Sequence, residues 1–93
     1  MSRQENIAWI VTNSNVRTQL CVAVEELSEL QKEVCKYVRD PIYEKHYDQI
    51  KEELADVLIM CSQLQYIFGI SDKDLDTEID FKLNRTMERL EHD

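Results

Sequence analysis

Two short acidic runs concentrate the chemistry-bearing groups of this chain. They are Glu25-Glu26-Leu27-Ser28-Glu29 and Glu52-Glu53-Leu54-Ala55-Asp56. Glu26 and Glu29 are three residues apart, and so are Glu53 and Asp56. On a helix that spacing puts both carboxylates of a pair on one face, a turn apart. Each pair is then a two-carboxylate claw. Four carboxylates at one level repel one another unless a cation sits among them. A hard divalent ion, Mg²⁺ or Mn²⁺, is the natural neutraliser, because both prefer oxygen ligands. The plain alternative is a solvated acidic face, the usual fate of Glu-rich helices.

A basic group stands near the end of the chain. Lys82, Arg85 and Arg89 follow the spacing i, i+3, i+7 and share one helical face. Arg suits phosphate through bidentate contacts and Lys as a point charge. A metal claw with a basic clamp beside it is equipment for phosphoryl chemistry. The alternative is a solvated stripe in which Glu78 pairs with Lys82 at i, i+4.

The elements that must position these groups are helices. The 93 residues include one Gly and one Pro, too few for the frequent turns of a sandwich or barrel. Four helical segments are predicted, over about 2–12, 16–39, 43–68 and 72–91. Thr12-Asn13-Ser14-Asn15 separates the first two and offers N-caps. Asp40-Pro41 ends the second, because the residue before Pro is biased away from helix. Gly69 closes the third, and Ser71-Asp72-Lys73-Asp74 has the look of a helix start. The fold class expected is all-α, with one domain over 1–93. Its centre is an antiparallel hairpin of the second and third helices, each roughly 36–39 Å long. Counting from the turn along both arms puts the two claws at nearly the same height.

Helical projection at about 100° per residue separates the claws. On the second helix the apolar stripe runs through Leu20, Ala23, Val24, Leu27, Leu30, Val34 and Val38, with Glu25, Glu26, Glu29 and Glu33 mostly away from it. On the third helix Glu53 falls inside the apolar stripe, and Asp56 falls at its edge. A carboxylate on a core-facing stripe is costly unless paired or metal-bound. Glu53 is therefore the most informative single residue.

The charge balance is 11 Lys+Arg against 19 Asp+Glu, a formal −8. That argues against a nucleic-acid strand or an anionic membrane as the main partner. Three cysteines without a Cys-x-x-Cys pair, each in an apolar helical stretch, predict buried reduced thiols. The polar start at Met1-Ser2-Arg3-Gln4 carries no secretory signal, so cytoplasm is expected, the host's if the gene is viral. A small domain with this little core is expected to close on a second copy.

Taken together, these residues resemble the MazG-like all-α nucleoside triphosphate pyrophosphohydrolases. The family's Glu-Glu-x-x-Glu reads Glu25-Glu26-Leu27-Ser28-Glu29 here, and its Glu-x-x-Asp reads Glu53-Leu54-Ala55-Asp56. Lys82-Leu83-Asn84-Arg85 matches the late Lys…Asn…Arg signature. The resemblance covers about residues 7–90. It implies a helical bundle completed by oligomerisation, as homodimer or homotetramer. It implies Mg²⁺-dependent hydrolysis of an NTP or dNTP to the monophosphate and pyrophosphate, a role suited to cleaning the nucleotide pool. In family terms Glu26, Glu29, Glu53 and Asp56 hold the metal, and Glu25 orients a second ion or the attacking water. Lys82, Asn84 and Arg85 match the phosphate- and nucleotide-binding positions, and Trp9 is a candidate for stacking on the base.

Other classes lack their residues. A di-iron bundle wants Glu-x-x-His, and neither His46 nor His92 fits. An EF-hand at Asp72-Lys73-Asp74 has Thr77 where Gly is required. The competing class is a non-enzymatic helical dimerisation or adaptor module whose acidic faces meet only water.

Overall fold

The computed structural model describes residues 1–92. Four helices follow one another: α1 (Arg3–Thr12), α2 (Val16–Arg39), α3 (Tyr43–Phe68) and α4 (Asp72–His92). Among the described residues there is no strand. No described helix is long and apolar enough to cross a membrane.

Each helix boundary has a local cause. Ser2 and Glu5 form a capping box at the start of α1, each side chain meeting the other's backbone N–H. The Asn15 side chain accepts from the backbone N–H of Thr18 and caps α2. Gly69 ends α3 in the left-handed region at φ 65°, which a side chain resists. The Ser71 hydroxyl accepts from the backbone N–H of Asp74 and opens α4.

α2 and α3 form the antiparallel hairpin, and α1 packs on α3 through Ile7 and Val11. Asp40 secures the turn. Its carboxylate accepts from Lys45 Nζ at 2.6 Å, and His46 Nε2 lies 3.5 Å away. The His46 ring is buried edge-on to Tyr37.

The face of α2 that meets α3 differs from the expected stripe. It carries Ala23, Leu30 and Tyr37 together with Glu26 and Glu33. Glu33 was expected in solvent. It is buried and pairs with Lys36 at 3.0 Å. Val24 and Val38 were expected in the core, yet 64% and 72% of their surface is exposed. The reason is geometric. The apolar arc of α2 is broad, and one neighbouring helix covers only one edge of it. For the same reason Cys21, Cys35 and Cys61 are exposed rather than buried.

α4 stands apart. None of its described residues is buried, and it has no substantial packing against α1, α2 or α3. The radius of gyration is 16.3 Å, against about 12 Å for a compact domain of this length. Among the described residues no large side chain is fully buried.

Candidate metal centre

The hairpin brings Glu26 of α2 to Glu53 and Asp56 of α3. One carboxylate oxygen of each lies within 4.8 Å of the other two. All three residues are half-buried at the seam between the helices. Glu53 faces the seam because its position lies in line with Val57, Met60 and Leu64 of the packed face. Asp56 follows one turn on, at the edge. Glu26 reaches them because it sits three residues beyond Ala23, which is 2% exposed and lets the helices approach closely.

The electrostatics are those of crowded anions. Burial raises the pKa of Glu26 above its ordinary value, and the charges of Asp56 and Glu53 raise it further. A hydrogen bond with Asp56 and the charge of Glu29 add in the same direction. Glu53 is steadied from its own helix: Gln49 Nε2 donates to Glu53 Oε1 at 2.9 Å. This partner escaped the sequence reading, although its i, i+4 spacing from Glu53 was a usable signal.

The other predicted site residues are placed as follows. Glu29 is exposed, one turn from Glu26, and stands outside the three-carboxylate group. Glu25 is exposed on α2 and likewise outside it. Lys82, Asn84 and Arg85 are exposed on α4, which does not pack on the hairpin in a single chain. Among the described residues Lys82 makes no ion pair with Glu78; Arg85 lies over the Phe81 ring at 5.7 Å. Trp9 is 58% exposed on α1, so it is not a core side chain here.

Three carboxylates from two helices, half-buried and mutually repelling, suit a hard divalent cation. The donor set is all oxygen, the kind that a hard cation prefers and a thiophilic one does not. A cation held there would offset the Asp56 and Glu53 charges that add to the effect of burial on Glu26. The fold and site together define an all-α, four-helix protein with a carboxylate cluster between two antiparallel helices. Comparison with known protein families, with curated proteins and with solved structures finds no match for the chain.

Proposed function

We propose that the chain is a metal-dependent nucleoside triphosphate pyrophosphohydrolase of the MazG-like type. The observation that supports this reading is the convergence of Glu26, Glu53 and Asp56 on one point of the hairpin. These three side chains would hold Mg²⁺, or Mn²⁺ in its place, with Glu29 one turn away as a further carboxylate. When bound, the ion polarises phosphate oxygens and lowers the pKa of a water. Glu25 is the exposed carboxylate next to the cluster in sequence and is suited to accept a proton from the attacking water. Lys82, Asn84 and Arg85 supply donors for the phosphates and the nucleotide, and Trp9 offers an exposed ring for the base. The basic residues lie on a helix that leaves the hairpin, so a homodimer or homotetramer suits this reading better than a monomer. The substrate is an NTP or dNTP, and the role is control of the nucleotide pool.

The test is pyrophosphate release from a panel of NTPs and dNTPs with Mg²⁺. Turnover of at least one nucleotide that Glu53→Gln abolishes, with helicity retained, is expected. No turnover of any nucleotide, together with no effect of Mg²⁺ on melting temperature, overturns the proposal. That outcome favours the second reading, a helical dimerisation or adaptor module. The observation on its side is the large exposed apolar surface of α2, α3 and α4.

A further inference from the structure

We infer that Lys36, held by the buried carboxylate of Glu33, is a further phosphate-binding residue that takes the pyrophosphate end of the substrate. The triphosphate then runs along the seam from the carboxylates toward the hairpin turn. This rests on the metal-dependent reading of the carboxylate site.

The first observation is a charge in a costly place. Glu33 is 7% exposed on the face of α2 that meets α3. A carboxylate taken out of water is unfavourable unless it is paired, and an apolar side chain of similar size would pack the seam without that penalty. The partner of Glu33 is Lys36, whose Nζ donates to Glu33 Oε1 at 3.0 Å. The pair fixes the direction of a lysine that is itself 42% exposed. An ammonium has three donors, and Glu33 takes one of those on Lys36. The rest can meet phosphate oxygens.

The second observation is which way the lysine points. The bond runs from residue 36 back to residue 33, so the ammonium lies toward the part of α2 that carries Glu29 and Glu26. At about 100° per residue, Glu29, Glu33 and Lys36 share the side of α2 on which Glu26 lies. Leu27, Val34 and Val38 are turned the other way. Because the helices are antiparallel and Glu26 meets Asp56, Glu33 stands level with Gln49, whose amide holds Glu53. From the level of Glu29 to the ammonium beside Glu33 is about one helical turn, roughly 6 Å. A diphosphate unit spans that distance.

The third observation is a change of sign along the seam. On this side of α2, Glu26, Glu29 and Glu33 give way to Lys36 in the last turn. In the opposite direction the seam is lined by Ala23, Met60 and Gln63, none of them charged. A polyanion joined to the carboxylates through a cation therefore gains by extending toward the turn. The other end of the seam is left for the nucleoside.

The test is calorimetric titration of the full chain with Mg²⁺ alone and then, in saturating Mg²⁺, with inorganic pyrophosphate. The parent chain is expected to bind both. Lys36→Met is expected to weaken pyrophosphate binding about tenfold and to leave Mg²⁺ binding unchanged. Lys36→Arg is expected to keep most of the pyrophosphate affinity. Lys36→Met strands the Glu33 charge, so Glu33→Gln/Lys36→Met, which removes both charges, is measured beside it with helicity checked, and the same loss is expected. Equal pyrophosphate affinity in the parent and both variants overturns the inference alone, as does a parent chain that binds Mg²⁺ but no pyrophosphate. An equal loss of Mg²⁺ affinity also overturns it, because Lys36 then acts through the packing of the hairpin. A parent chain that binds no Mg²⁺ overturns the metal-dependent reading and this inference together. Pyrophosphate release from NTPs and dNTPs is scored separately. Its absence, with pyrophosphate binding that depends on Lys36, counts against catalysis and leaves the phosphate subsite standing.

Discussion

Glu26 of α2 and Asp56 of α3 meet across the hairpin seam as two acids, with one carboxylate oxygen of each within 4.8 Å of the other. Glu53 stands beside both. The fold therefore carries a local electrostatic cost, which a proton relieves at low pH and which a cation would relieve at neutral pH.

The sign of the pH effect follows. The folded-state pKa of Glu26 is raised, first by burial and then by Asp56 and Glu53. Its contribution to stability is present below the unfolded pKa and is lost as pH rises through the folded one. In chelator, the melting temperature of the chain is expected to lose this contribution as pH rises above the ordinary glutamate range, and Glu26→Gln to flatten that loss. At neutral pH without metal, Glu26→Gln melts higher than the parent chain. Thermal scans of both proteins in chelator across this range check it.

Mg²⁺ should reverse the order. The ion is expected to raise the melting temperature of the parent chain and to leave that of Glu26→Gln or Glu53→Gln unmoved. Gln49→Leu removes the amide that steadies Glu53. It is expected to weaken Mg²⁺ affinity by about 10–100-fold, the usual effect of losing a ligand's supporting hydrogen bond. Calorimetric titration of Mg²⁺ into each variant measures this.

The turn has the opposite pH sign. The Asp40 pKa is lowered chiefly by its hydrogen bond from Lys45, an effect that burial opposes and that the Lys45 charge and His46 reinforce. Its contribution is present above the unfolded pKa and is lost as pH falls through the folded one. Asp40→Asn is expected to lower stability at neutral pH and to remove part of the loss on acidification. Urea midpoints of the two proteins at neutral and acidic pH compare them.

The core is thin enough that one side chain matters. Met60 is among the few buried apolar residues, facing the packed side of α3. Met60→Ala is expected to cost about 2–5 kcal/mol. Val24→Ala, on the exposed side of α2, is expected to cost far less in the single chain and to act through association instead. Urea unfolding at several protein concentrations separates the two effects.

Much of this protein is written in local sequence. Ser2 with Glu5, Asn15, Asp40-Pro41 and Gly69 end or begin helices through nearest-neighbour hydrogen bonds and dihedral limits, so the four helices were legible residue by residue. The short link at Asp40-Pro41-Ile42 implies the hairpin, and residue counting from it implies that the two acidic runs share a level. The spacing of Glu53 within an apolar stripe also marks it as a seam residue. Tertiary structure decided the rest, because it depends on which edge of each broad apolar arc a neighbour covers. Packing through Ala23, Leu30 and Tyr37 turns Glu26 and Glu33 inward and leaves Val24, Leu27, Val34 and Val38 outside. It gathers three of the predicted carboxylates, leaves Glu25 and Glu29 in solvent, and sends Lys82, Asn84 and Arg85 away on α4. A helix's own periodicity states how wide its apolar face is; only a neighbouring helix selects the part that becomes core.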